Sequence, residues 1–456
     1  MKITRKRIVY TALVTLIVVF SSTYAVLMTL ERTDLRNYLQ AQYSKSMYDL
    51  IDSVQNIRVN LGKAEIVGSR EQGITVFEEI FRHSSVANDK IHSLPVSQTT
   101  ISDTSKFLSQ VGDFSYSLAK ASSEGRELND NDYATIDRLK DESFKLEQQL
   151  KQVSDDINEG NVKWGEIRRK ASGVLASNKG NELSDMFTGI QKQVAEYPAL
   201  IYDGPFSDNT LEIKPKVNSQ KDVSQKQAEE TARNIIGKDR IDSIQQLPNE
   251  GKGRIDSYRF SALLKGRKDN NETVVCEISK KGGKILYLLN NRSVGSAKID
   301  SKKAGDIGSN YLANIGYKNM ISTYSLNYDN ITVINYVYKQ QDTVIYPDQI
   351  KLKVALDDGS IVGIEAEKYL TAHEDNRNIG TPKISAEQAR QKVGKRLNIT
   401  SSRVAIIPTE SNKEVLCYEF AGNYKDDNYL VYINADTGYE QRIMQIINTP
   451  NGELTM

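Results

Sequence analysis

Apolar positions recur every three or four residues from 31 to 196 of this chain, and every second residue from 223 to 447. The first period belongs to a helix face and the second to a strand with one buried side. Tyr43, Met47, Leu50, Val54, Ile57 and Leu61 form one helical stripe. Others run through Ile74, Phe77, Phe81, Ile91 and Leu94, through Phe107, Val111, Phe114, Leu118 and Ala121, and through Ile136, Leu139, Leu146, Leu150, Val153 and Ile157. A last stripe comprises Leu183, Met186, Phe187, Ile190 and Val194. Charged residues fill the opposite faces, and Asp130 or Asp132 is placed to cap the helix that follows. The pattern predicts an antiparallel bundle of five to seven helices over 31–196. Its spacing also fits a coiled coil between two copies, so a homodimer stays open.

The period changes within Tyr197-Pro-Ala-Leu-Ile-Tyr-Asp-Gly-Pro-Phe-Ser-Asp208. Two prolines remove backbone donors, Gly204 permits positive φ, and three aromatics stand among them. This predicts a packed hinge, extended by a linker to residue 222. Tyr197, Pro198, Tyr202, Asp203, Pro205 and Phe206 are its candidate partner-binding residues, and its aromatics serve either to pack on the first repeat or to contact a partner.

Beyond the hinge, three segments open alike, at Val223-Ser-Gln-Lys-Gln-Ala228, Ile299-Asp-Ser-Lys-Lys-Ala304 and Ile384-Ser-Ala-Glu-Gln-Ala389. Ser224, Asp300 and Ser385 are expected N-caps, each opening a helix of about ten to fourteen residues. Three alternating runs follow in each segment. The last two flank a turn at Gly282-Gly283, Asp358-Gly359 or Thr437-Gly438. The opening apolar residue precedes the turn glycine by 60, 60 and 54 residues, which marks a true repeat. The units span 223–295, 296–378 and 379–448, each a helix across a small antiparallel sheet. The chain is therefore an α+β multidomain protein behind an all-α region.

At the N-terminus, Ile8 to Leu30 carry no charge, with Lys2, Arg5, Lys6 and Arg7 before them and Glu31 and Arg32 after. A helix of that length reaches about 35 Å, against about 30 Å for a hydrocarbon core. The basic flank predicts residues 1–7 in the cytoplasm and the bulk outside. A cleaved signal peptide, with Thr23 and Ala25 as small residues, has a shorter apolar region, so an uncleaved anchor is preferred.

Composition narrows the function. A formal charge of +1 and no basic stripe argue against nucleic acid. Cys276 and Cys417, each in an alternating apolar run, read as buried free thiols. His83 and His92 are nine residues apart, off the spacing of a ligand pair, and read as surface histidines. His373-Glu-Asp-Asn-Arg377 starts like a zinc protease motif but ends in Arg. Asp357-Asp358 and Asp426-Asp427 read as turns, and Asn129 to Asp132 as a cap rather than a calcium loop. No catalytic residue, cofactor site or metal site is assigned. The loops Lys214 to Asp222 and His373 to Thr381, polar and lying between folded units, are the expected cutting points. With 24 tyrosines against 10 phenylalanines, the sheets have rings suited to cross-strand pairing.

The hinge Tyr197 to Asp208, behind one anchor and a helical region and ahead of three repeats, resembles the YpeB family of spore germination proteins. The repeats resemble PepSY domains, and the likeness covers essentially the whole chain. It implies a protein at the outer face of the spore inner membrane that keeps the cortex-lytic enzyme SleB present and in place until germination. Implied alternatives are inhibition or chaperoning of a secreted protease, from the association of PepSY domains with peptidase propeptides, and direct binding of cortex peptidoglycan.

Overall fold

The computed structural model describes residues 5–96, 98–159, 206, 213–248, 253–265, 273–328, 330–409, 413–449 and 452–456. The chain divides into two compact units: residues 1–64 with 74–197, and residues 65–73 with 198–456.

The first unit is helical. Helix α1 runs unbroken over Arg5–Ile66, 62 residues. No proline or glycine lies between Leu30 and Gly62, so the uncharged segment passes directly into the first predicted stripe. Two hydroxyls within the apolar part are satisfied by the helix itself: Ser21 Oγ donates to Ile17 O at 2.8 Å and Thr29 Oγ1 to Ala25 O at 2.7 Å. This helix is long and apolar enough to cross a membrane. Three more follow, α2 (Arg70–His92), α3 (Gln98–Ser123) and α4 (Asp130–Asn158). These four are the long helices among the described residues, and the stripe Leu183 to Val194 lies outside them.

The stripes meet in one core, with Leu50, Val54, Ile57, Leu61, Phe77, Ile91, Val111, Leu118, Ile136 and Leu150 buried. Phe81 departs from its stripe: it stays exposed and lies 5.5 Å from the ring of Tyr116. The cap of α4 is Asn129 rather than Asp130 or Asp132. Its side chain accepts from the N–H groups of Asn131 and Asp132, and Asp132 returns a bond to the Asn129 N–H. His83 is mostly buried, not a surface histidine, and burial lowers its pKa.

The second unit is α+β. Four strands follow helix α5 (Gln225–Ile236): β1 (Ile241–Leu247), β2 (Ser257–Leu264), β3 (Thr273–Ser279) and β4 (Ile285–Asn290). Four more follow α6 (Ser301–Asn314): β5 (Met320–Tyr328), β6 (Ile331–Gln340), β7 (Thr343–Ala355) and β8 (Ile361–Glu365). A short α7 (Glu367–Ala372) comes next. The third repeat has α8 (Ala386–Arg390), β9 (Asn398–Pro408), β10 (Glu414–Tyr424), β11 (Asp427–Asn434) and β12 (Glu440–Thr449), with β13 (Gly452–Thr455) closing the chain.

Each repeat thus has one strand more than the three runs in the sequence. The added strand comes first, at β1, β5 and β9. In β1 the polar Asp-Ser-Ile-Gln-Gln pattern hides it, because this edge strand is largely exposed. The third helix is also shorter than expected, at five residues. Gly394 interrupts what would be its second half: a Cβ there would meet Ile66 O at 1.9 Å, so only glycine fits.

The opening of every repeat sits on its turn glycine. Val223, Ile299 and Ile384 donate backbone N–H bonds to Lys280, Leu356 and Ala435. Their side chains lie 3.1, 3.5 and 3.5 Å from where a Cβ on Gly283, Gly359 and Gly438 would stand. That contact explains the near-constant spacing. All three caps form, with Ser224, Asp300 and Ser385 accepting from Gln227, Lys303 and Gln388 N–H.

Among the described residues all thirteen strands share one sheet, in the order β1-β2-β3-β4-β8-β7-β6-β5-β13-β12-β11-β10-β9. Antiparallel β4 and β8 join the first two repeats, with Leu288 opposite Ile364. Strand β7 is long enough to take two neighbours on one side. Its later half pairs β8, while Thr343, Val344 and Ile345 pair in parallel with Val404, Ala405 and Ile406 of β9. This second pairing closes a ring of eight strands, β7-β6-β5-β13-β12-β11-β10-β9, made by the second and third repeats together.

Candidate partner-binding site

Alternation along a strand sends neighbouring side chains to opposite faces. On one face of the closed ring, Val431, Ile433, Tyr418 and Phe420 pack with Ala389 of α8. The intervening Leu430, Tyr432 and Cys417 pack instead with Val337, Val344, Tyr346, Ala405, Ile407 and Met444. Phe206 of the hinge joins this second group and is 1% exposed. It does not pack on the first repeat, the place a residue just ahead of that repeat would be expected to reach.

The Phe206 ring stands edge-on to Tyr346 and Tyr432, with centroids 5.2 and 5.3 Å away. The Arg442 guanidinium lies 5.2 Å from its centroid. The Lys368 ammonium donates to the Phe206 carbonyl at 3.1 Å. The backbone takes φ 61°, unusual for a residue with a side chain. Of the six hinge candidates only Phe206 is described; Tyr197, Pro198, Tyr202, Asp203 and Pro205 lie outside the described residues. Tyr346, Tyr432, Lys368 and Arg442 carried no mark in the sequence. Each lies in an ordinary strand or helix run: Tyr432 and Arg442 stand opposite each other in the β11–β12 hairpin, and ring closure brings β7 with Tyr346 to them.

A polar network supports these tyrosines. Tyr346 donates to Glu419 Oε2 at 2.6 Å, and Arg403 donates to Glu419 Oε1 at 2.7 Å and to the Tyr346 oxygen at 2.8 Å. Burial, reinforced by the Glu419 carboxylate, keeps the Tyr346 hydroxyl protonated far above its usual range.

A second network surrounds buried Asp348. His373 Nδ1 lies 2.7 Å from one Asp348 oxygen, and Arg377 donates to the other at 2.8 Å. The His373 ring stacks on Tyr369 at 4.1 Å. Arg377 is 5% exposed, and its carbonyl accepts from Gln340. Arg377 thus ties down the middle of a loop whose Glu374, Asp375, Asn376, Asn378, Gly380 and Thr381 are exposed. In Lys214 to Asp222, Val217 is buried while Lys214 and Asn218 to Asp222 are exposed, and Asp222 pairs with Lys281 at 3.0 Å. Asp357 and Asp358 hold Arg292, at 2.6 and 2.7 Å.

Cys276 and Cys417 are buried free thiols whose pKa values burial pushes up to about 12. Among the described residues, no group of three or more His, Cys, Asp or Glu is arranged to hold a metal ion.

The arrangement defines a PepSY-type α+β repeat protein behind a helical region with a membrane-length apolar helix. Family models agree. "YpeB N-terminal" matches residues 31–166, "YpeB sporulation, PepSY1 and PepSY2 domains" matches 183–380, and "Peptidase propeptide and YPEB domain" matches 383–444. The chain belongs to the YpeB family of sporulation proteins. It is 27% identical to sporulation protein YpeB of Bacillus subtilis (strain 168), covering 90% of this chain and 91% of that one. The protein of the same name from Oceanobacillus iheyensis is also 27% identical, with 91% and 92% covered. The solved Bacillus megaterium YpeB C-terminal domain is 33% identical, with TM-score 0.45, over 50% of this chain and all of that one. These family models describe propeptide-like or regulatory domains rather than catalytic ones.

Proposed function

We propose that this sporulation protein binds, stabilises and localises a cortex-lytic peptidoglycan hydrolase of the SleB type until germination, without catalysing a reaction itself. In this reading α1 anchors it in the spore inner membrane, with residues 1–7 inside and the repeats on the cortex side. Family membership over nearly the whole chain carries the reading, and the membrane-length helix is consistent with it. Strand β1 suits the role: it ends the sheet, with Asp242, Ser243, Gln245 and Gln246 exposed, and offers an edge to which an extended segment adds.

Deleting the gene and immunoblotting purified dormant spores for the lytic enzyme tests this. Loss of the enzyme with normal transcription is expected. Unchanged, fully active enzyme would refute it. The propeptide-type match over 383–444 favours a second reading, inhibition or chaperoning of a secreted protease. Under that reading, purified chain slows proteolysis by a candidate protease in vitro; under the first it leaves proteolysis unchanged.

A further inference from the structure

Phe206 is placed unlike an ordinary core residue. The strands of the second and third repeats pair into their ring without it, since each backbone pairing joins one ring strand to another. Its ring comes from a position 130 or more residues ahead of most of the walls that receive it, past the whole first repeat. Removing that ring would leave a space beside Tyr346, Tyr432 and Arg442, inside the cluster that also holds Val337, Val344, Ala405 and Ile407.

The contacts also match those by which a protein recognises a peptide. Two inclined tyrosine rings and a guanidinium address the ring, and an ammonium addresses the adjoining backbone carbonyl. Aromatic and cationic groups favour a π-ring over an aliphatic side chain of similar size. A backbone at φ 61° costs energy for any residue but glycine, so ring insertion must offset that cost. The walls divide evenly, with Tyr346 and Lys368 in the second repeat and Tyr432 and Arg442 in the third. Occupancy therefore fastens one repeat to the other.

We propose that the ring formed by the second and third repeats is a binding site for an aromatic side chain carried on a peptide, and that this chain's own Phe206 occupies it in cis. The ligand class is a phenylalanine-bearing segment with a free carbonyl at the aromatic residue. Covalent attachment gives Phe206 a high effective concentration, so a competing peptide gains the site only when the residue is removed or drawn out. The inference rests on the pocket alone and does not depend on which enzyme or protease the chain serves.

The test uses the full-length chain in detergent and the labelled peptide acetyl-Tyr-Asp-Gly-Pro-Phe-Ser-Asp-amide. Fluorescence anisotropy should show binding to Phe206→Ala at least tenfold tighter than to wild type. A control peptide with alanine in place of phenylalanine should not bind, and adding Lys368→Met to the Phe206→Ala chain should weaken binding several-fold. Phe206→Leu, which keeps most of the apolar volume, is made alongside as the milder variant and should also bind more tightly than wild type. Failure of the folded variants to bind would overturn the proposal, as would wild type binding equally well or the alanine peptide binding like the original. Failure of Phe206→Leu to fold would also overturn it, by making Phe206 an obligatory core residue.

Discussion

Glu440 is a carboxyl removed from water, whose oxygens accept the backbone N–H groups of Gly68 and Ser69 at 3.1 and 2.9 Å. Both partners belong to the second unit with it. Burial raises its pKa from 4.5 to about 7, and the two N–H bonds only partly oppose that rise. Because the folded value exceeds the unfolded one, the folded state holds more protons between about pH 4.5 and 7. The stabilisation is complete below that window and is lost as pH rises through it. The full shift corresponds to roughly 3 kcal/mol, an upper bound. Glu440→Gln should flatten this part of the profile in urea unfolding at pH 5, 6, 7 and 8. An unchanged slope would assign the pH dependence to other groups.

At the scale of the element, the repeat is organised by the glycine that closes its last hairpin. Gly359, Gly283 and Gly438 have φ of 77°, 60° and 72°, so alanine at any of them costs about 1 kcal/mol in backbone strain alone. Crowding then separates them. A Cβ at 359 would come within 2.8 Å of Ile307, at 283 within 3.1 Å of Val223, and at 438 no nearer than 3.5 Å to Ile384. The Ile307 contact is with its terminal methyl, which can turn aside, so alanine should destabilise more at 359 and 283 than at 438, by about 2 kcal/mol at most. Chemical denaturation of the three variants checks the order, and equal losses would leave φ as the only determinant. These glycines, the three N-caps and the helical stripes were legible because each is a local rule of backbone geometry. The first strand of each repeat was not, since β1 is an exposed edge whose polar residues mask its period. Nor was the stop after Arg390, where Gly394 serves a close backbone approach rather than a helix. Phe206 was legible as a packed aromatic but not in its destination, because its walls come from strands far along the chain.

For the second and third repeats as a whole, the question is what keeps a ring of eight strands closed. One seam is the parallel pairing of β7 with β9, three residue pairs long. The other is narrower: β13 joins β5 through the single pair Gly452 and Leu326. Gly452 has φ 136°, and a Cβ there would stand 2.3 Å from Ser325 O, a backbone atom that cannot swing aside. Gly452→Ala must therefore part β13 from β5. The small cluster at that seam, Tyr324 and Leu326 with Tyr328 and Ile447, then loses cover from water. Hydrogen exchange should quicken in β5 and β13, while β2 and β3, hydrogen-bonded to the ring strands through β4 and β8 and packed in a core shared with β6 and β7, keep their protection. Phe206 sits in a cluster built from β6, β7, β9, β10, β11 and β12, so the same variant should also admit the aromatic peptide more readily than wild type. If exchange instead rose throughout the sheet, the three repeats would be one cooperative body, and the ring would have no opening of its own to couple to binding.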